Sequence, residues 1–225
     1  MQIRNIYAAS ARCIYGASMR VFSTGPQITD ISPLTAISPI DGRYAKACHR
    51  LRPYFSEYAL MRYRIQVELH WFTTLFNQQI VSKDAKEIES VQNTQAFMQK
   101  LFDEFSLEDA ERVKEIEKTT NHDVKAIEYF LKEKFETNAA LGPLKEYLHF
   151  SCTSEDINNL AYALMLNNSM NDVLLPQLKG LQQSLALKAS TELSDIPMLC
   201  RTHGQSATPS TMGKEFANYA YRLKV

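Results

Sequence analysis

The run Tyr54-Phe55-Ser56-Glu57-Tyr58-Ala59-Leu60-Met61-Arg62-Tyr63-Arg64-Ile65-Gln66-Val67-Glu68-Leu69-His70-Trp71-Phe72-Thr73-Thr74-Leu75-Phe76 decides the fold class. Tyr54, Tyr58, Met61, Ile65, Phe72 and Phe76 recur at spacings near 3.6 and 7, with Arg62, Arg64, Gln66 and Glu68 between them. That period predicts one long amphipathic helix burying a single aromatic face. Downstream, Ser106-Leu107-Glu108-Asp109 reads as a capping box opening a helix to about Lys118. After the polar break Thr119-Thr120-Asn121-His122-Asp123, a further helix carries Val124, Ile127, Phe130 and Leu131. Glu136 to Pro143 reads as a linker. Thr153 and Asp156 form another capping box, for a helix that buries Ile157, Leu160, Ala161 and Leu164.

Leu174, Leu178, Leu181 and Leu185 make the next stripe, read as core, with Pro176 acceptable in a first turn. Asp195-Ile196-Pro197 ends that element, Arg201 to Ser210 reads as a polar loop, and Thr211 starts a last helix. Lys224-Val225 carries no stop signal, so the chain is expected to end in mid-element as a truncated or spliced product. Seven glycines are too few for a protein of many hairpins, and the class expected is all-α.

The chain has 225 residues, with 25 Lys plus Arg against 25 Asp plus Glu, 45% hydrophobic and 22% charged residues. This is the balance of a globular protein. Zero net charge gives no general electrostatic attraction to nucleic acid or to an anionic membrane. No stretch approaches the roughly 20 apolar residues of a bilayer-spanning helix. Neither nucleic acid nor a membrane is expected as a partner. Cys13, Cys48, Cys152 and Cys200 form no CxxC pair and read as free packing thiols, with no zinc site. Arg4, Arg12 and Arg20 occur with several Ser and Thr and with no acid before Asp30. Residues 1–29 therefore resemble an organelle transit peptide, for a mitochondrion or plastid, the alternative being a cytoplasmic protein with an extension.

Four polar clusters carry the candidate chemistry. Arg43 in Asp41-Gly42-Arg43-Tyr44 can grip a phosphate or carboxylate with two donors, and Tyr44 adds a hydroxyl on a rigid arm. Thr153 and Ser154 stand at a helix N-terminus, where the dipole, amides and hydroxyls favour an anion. His122 and His203 can exchange a proton near neutral pH, as a general acid or base must. Each has a plain structural alternative: a turn for Asp41-Gly42, a cap for Thr153 and for His122, and an exposed loop for His203.

The order of the clusters is specific. Ser38-Pro39-Ile40-Asp41-Gly42-Arg43-Tyr44, Glu117-Lys118-Thr119-Thr120-Asn121-His122-Asp123-Val124-Lys125-Ala126, His149-Phe150-Ser151-Cys152-Thr153-Ser154-Glu155-Asp156-Ile157-Asn158-Asn159 and Arg201-Thr202-His203-Gly204-Gln205 together resemble the motifs of the adenylosuccinate lyase family, within the fumarase/aspartase superfamily. The match runs from about Leu34 to the last residue, as the N-terminal part of such a chain. Relatives that act on argininosuccinate or hydrate fumarate carry other residues where this chain has TSEDINN.

The resemblance implies a small helical first domain, over 30–142, followed by the start of a long-helix bundle over 143–225. It also implies a homotetramer whose sites draw on three subunits. The implied reaction splits adenylosuccinate into AMP and fumarate, and SAICAR into AICAR and fumarate, in purine nucleotide biosynthesis. No metal or organic cofactor is implied. Arg43 and Tyr44 would hold the nucleotide phosphate, Asn121, His122 and Asp123 would contact the substrate, and Thr153 and Ser154 would bind the succinyl part. His203 would be the general acid on the leaving nitrogen, with His122 the second candidate catalytic residue.

Two departures stand out. Ser206 occupies a position where the family usually has proline, and the 225 residues hold no Ser-Ser-x-Met-Pro-x-Lys-x-Asn segment, the family's source of a catalytic base. The alternatives are a non-catalytic helical isoform that associates with a full-length lyase, and a sister lyase acting on another succinyl or dicarboxylate substrate.

Overall fold

The computed structural model describes residues 32, 34–78, 80–81 and 91–224, with the backbone alone at 91–93. The transit-peptide reading of residues 1–29 and Cys13 lie outside the described residues. The chain divides into two compact units, Met1–Cys48 and His49–Val225, each described by itself.

In the second unit, Ser56 caps a helix by accepting a hydrogen bond from the Ala59 N–H at 3.2 Å. Beyond the short α1 (Arg52–Phe55), that helix is α2 (Glu57–Asn77). It differs from the one-faced helix the period predicts. Met61, Ile65, Leu69, Phe72 and Leu75 pack into one cluster with Val113, Ile127, Phe130, Leu131 and Phe135, while Ala59, Tyr63 and Val67 pack into a second with Val124, Ile157, Ala161 and Met165. With apolar neighbours on both sides, the helix keeps only a narrow, half-buried polar stripe in its middle, at Arg62 and Gln66. Arg64 and Glu68, expected among the exposed polar residues, are buried.

The first cluster is closed by α3 (Val91–Asp103), α4 (Leu107–Thr120) and α5 (Asp123–Glu136). The Ser106–Asp109 capping box forms as expected, with the Ser106 N–H donating to Asp109 Oδ2 at 3.0 Å. The 136–143 stretch is not a slack linker. Leu141 is fully buried, Asn138 Oδ1 accepts from the Ala140 N–H at 2.9 Å, and a 3-10 turn follows over Gly142–Tyr147.

The stretches read as two elements around Pro176 are one continuous helix. α6 (Ser154–Ser169) passes through a π-helical segment, Met170–Leu174, into α7 (Leu175–Ser190). Proline has no N–H to give the carbonyl four residues back. That carbonyl, on Asp172, lies 3.5 Å from Arg50 Nη2, and the Leu175 N–H reaches Met170 O across the wider turn. The leucine stripe along α7 is not core among the described residues: Leu178 is 37% and Leu181 50% exposed, and no residue of α7 is buried. Leu160 on α6 is also exposed.

The polar loop expected from Arg201 to Ser210 is instead an antiparallel hairpin, β1 (Pro197–Thr202) and β2 (Gln205–Thr211), in register Thr202 to Gln205 and Pro197 to Thr211. Thr211 then caps α8 (Met212–Arg222) through the Lys214 N–H at 3.2 Å. Gly213 lets α8 approach the end of α7: a Cβ there would lie 2.5 Å from the Ala189 carbonyl oxygen. Apart from this hairpin the regular elements of the described chain are all helical, joined by turns, the all-α class read from the period. Among the described residues no helix is long and apolar enough to cross a membrane.

Candidate active site

Two helix N-termini meet at the surface of the second unit. α4 ends at Asn121, a non-glycine residue in the left-handed region at φ 49°, which reverses the chain within one residue. His122 is then the N-cap of α5, and its Nδ1 accepts the Lys125 N–H at 3.2 Å. An Nδ1 that accepts has no proton of its own, so a neutral ring carries its proton on Nε2. Nε2 lies 3.3 Å from Ser154 Oγ, on the first turn of α6. The capping role of His122 and its place beside Ser154 are therefore one arrangement.

The neighbouring groups fix this geometry. Asp123 Oδ1 accepts the Val124 N–H at 2.9 Å, and Oδ2 takes a 2.7 Å hydrogen bond from Arg64 Nη2. Burial tends to raise the Asp123 carboxyl pKa, yet the Arg64 charge, the Val124 and Arg64 hydrogen bonds and His122 together hold it below its ordinary range. Arg64 Nε also donates to Asn158 Oδ1 at 2.9 Å, tying α2 to α6. Thr153 holds α6 at its start, its N–H donating to Asp156 Oδ2 at 2.9 Å. Two positive helix ends, the Ser154 hydroxyl and an imidazole thus face one patch, a combination suited to a carboxylate or phosphate.

Of the residues singled out by sequence, Asn121, His122, Asp123, Thr153 and Ser154 come together here. Arg43 and Tyr44 lie in the first unit, in a turn closed by the Tyr44 N–H on Pro39 O at 2.8 Å, with the guanidinium carbon 5.5 Å from the Tyr44 ring centre. Both side chains are exposed.

His203 is exposed at the tip of the hairpin, at φ 50° beside Gly204 at φ 77°. Two consecutive positive φ values mark the tight turn whose twist suits a two-residue hairpin loop. The hairpin springs from the far end of the α6–α7 helix, where the Gly213 N–H donates to Leu193 O at 2.8 Å. From Ser154 to Ser190 that helix runs about 55 Å, and the hairpin arms reach about 20 Å. Folded straight back, the hairpin would stop about 35 Å short of Ser154. His122 and His203 of one chain do not meet.

Sequence reading missed Arg64, Glu68 and His149. Their signal lies in Tyr63, Ile65, Val67 and Leu69, which surround Arg64 and Glu68 with apolar positions on every side. Among the described residues no group of three His, Cys, Asp or Glu side chains is arranged to hold a metal ion.

A family model described as Lyase matches residues 42–225. The chain belongs to the lyase family. This lyase chain is 47% identical over 195 residues to an adenylosuccinate lyase of Legionella pneumophila, covering 86% of this chain and 42% of that protein. It is 47% identical over 196 residues to the adenylosuccinate lyase of Escherichia coli K12, covering 87% and 42%. The lyase chain therefore spans less than half the length of the curated relatives it matches. Among solved structures it resembles a β-carboxy-cis,cis-muconate cycloisomerase from Acinetobacter calcoaceticus, at TM-score 0.60 and 18% identity over 78% of this chain and 38% of that one. A fumarate lyase from Mesorhizobium matches at TM-score 0.57 and 22% identity, over 78% and 39%. These likenesses bear on the fold alone.

Proposed function

We propose that the chain contributes to an adenylosuccinate lyase site that cleaves adenylosuccinate to AMP and fumarate, and SAICAR to AICAR and fumarate, in purine nucleotide biosynthesis. The observation that carries this is the pairing of His122 Nε2 with Ser154 Oγ at 3.3 Å, where the two helix N-termini converge. It gives an anionic succinyl group hydroxyls and dipoles to bind, with a proton-transfer group alongside. Identity of 47% to adenylosuccinate lyases supports that substrate over another succinyl compound.

In this reading Thr153 and Ser154 hold the succinyl carboxylate, while Asn121, His122 and Asp123 position the reacting part. Arg43 and Tyr44 take the phosphate. His203 protonates the departing nitrogen as the carbon–nitrogen bond breaks, because an amine anion is a very poor leaving group without a proton. The base that removes the carbon-bound proton is supplied by a segment outside these 225 residues. No metal or organic cofactor takes part.

Since His203 lies far from Ser154 of its own chain, the site is completed between copies, which favours the homotetramer of the resemblance. The 30–142 and 143–225 division into first domain and bundle, and delivery to a mitochondrion or plastid by residues 1–29, belong to the same proposal.

The test mixes the purified chain with a full-length adenylosuccinate lyase in which the histidine aligned with His203 is alanine, and follows fumarate release from adenylosuccinate. Activity is expected in the mixture and in neither component alone. Activity in the chain alone would overturn the division of the site. No activity in a mixture shown by gel filtration to have co-assembled would overturn the role of His203. Cleavage of another succinyl substrate in place of adenylosuccinate would favour the sister-lyase reading.

A further inference from the structure

The four residues before Thr153 are held in an unusual way. His149 and Ser151, neither of them glycine, sit in the left-handed region at φ 59° and φ 60°. Side chains with a Cβ resist that conformation, so the surroundings must enforce it. Two residues of one face of α2 do so. Glu68, wholly buried, places Oε1 2.6 Å from His149 Nδ1, and the Trp71 indole N–H donates to the Phe150 carbonyl at 2.8 Å. Glu68 Oε2 has no hydrogen-bond partner among the described residues.

A buried carboxyl with an idle oxygen is expensive, and core packing alone would be served better by an apolar residue. Its gain must lie in what it holds. The strained turn leads directly into the N-cap Thr153 and thence to Ser154.

We propose that Glu68 and His149 are a positioning pair: gripped with Trp71, they hold the strained His149–Cys152 turn so that the Ser154 hydroxyl and the α6 N-terminus stay aimed beside His122. The pair touches no reacting atom. Only the identity of the ligand rests on the proposed function. The Glu68 hydrogen bond raises the His149 imidazole above its ordinary pKa against the lowering effect of burial, with the charges of Glu68 and Glu128 adding and Lys125 opposing. Those three groups, from α2 and α5, are the charges that act most strongly on the ring.

The experiment compares the chain with Glu68→Gln, which keeps shape and loses charge, and His149→Asn, which accepts the left-handed backbone and removes the ring. Backbone amide NMR without ligand reads Cys152, Thr153 and Ser154 across pH, and titration with adenylosuccinate reads affinity. In the parent, those amides are expected to follow the His149 ring midpoint. Both variants are expected to displace them and to weaken adenylosuccinate binding at least tenfold, with circular dichroism unchanged. Amides at parent positions in both variants would overturn the pair, and if Glu68→Gln does not fold, His149→Asn decides alone. Absence of any adenylosuccinate-induced shift in the parent would count against the proposed substrate, while the ligand-free comparison still decides the pair.

Discussion

Arg64 joins the start of α5 to the second turn of α6: its Nη2 lies 2.7 Å from Asp123 Oδ2 and its Nε 2.9 Å from Asn158 Oδ1. The guanidinium is almost wholly buried, with 4% of the Arg64 side chain exposed against 46% for Asp123. The more enclosed partner therefore determines what either loss would cost.

Asp123→Ala would strand the Arg64 charge in the interior. Breaking such a pair should cost about 2 kcal/mol, less than for a fully enclosed pair because Asp123 is half in water. Urea unfolding of the two chains measures it, and a difference below about 0.5 kcal/mol would mean that Arg64 is satisfied elsewhere.

The His149–Glu68 contact predicts a pH dependence of stability. A folded-state imidazole pKa above the unfolded value near 6.5 means that the folded chain binds the proton more tightly. The contribution is complete below that unfolded value and is lost as pH rises through the higher folded one. Melting temperatures recorded upward from pH 6 should fall more steeply for the parent than for Glu68→Gln, and parallel curves would exclude the contact as the source.

Gly213→Ala would drive a methyl group into the Ala189 carbonyl oxygen, 2.5 Å from the ideal Cβ, and against Ser194 Cα at 2.9 Å. Both obstacles are backbone and cannot swing aside. A loss of about 1–3 kcal/mol is expected from the forced separation of α8 and α7. Thermal unfolding checks it, and an unchanged midpoint would mean that the helices do not approach so closely in solution.

His203→Ala should leave stability unchanged, since the side chain is exposed at a turn. In the mixed-chain assay it should lower fumarate release by roughly 10² to 10⁴, the usual loss for a positioned acid. A rate within a few-fold of the parent would remove His203 from the chemistry.

The helical class and the caps at Ser106, Thr153 and Thr211 were legible because they depend on residues three or four apart. What the sequence concealed depends on distant packing. Arg64 and Glu68 look like a polar face when α2 is read alone, and become interior only once α5 and α6 cover both sides. The hairpin escaped notice because both of its faces are mostly exposed, leaving no apolar alternation, and its turn is His203-Gly204 in place of the usual Asn-Gly. Leu178 and Leu181 show the converse, a core-like period on a helix whose stripe no described residue covers. The site followed the same rule. His122 and Ser154 each lie in a readable cluster, but their meeting required α5 and α6 to pack on α2.

The π-helical segment at Met170–Leu174 has a consequence for how this chain can change over time. A π turn is equivalent to one residue inserted into an α-helix, and each residue advances an α-helix by about 100° around its axis. Because the wide turn absorbs that residue, deleting one residue there would restore the ordinary ladder and leave everything beyond it, α7, the hairpin and His203 included, near its present azimuth, whereas the same deletion in a purely α-helical stretch would swing it by about 100°. The azimuth of His203 about this helix is thus buffered at 170–174, and a one-codon deletion there should be tolerated better than one within the α-helical stretches on either side.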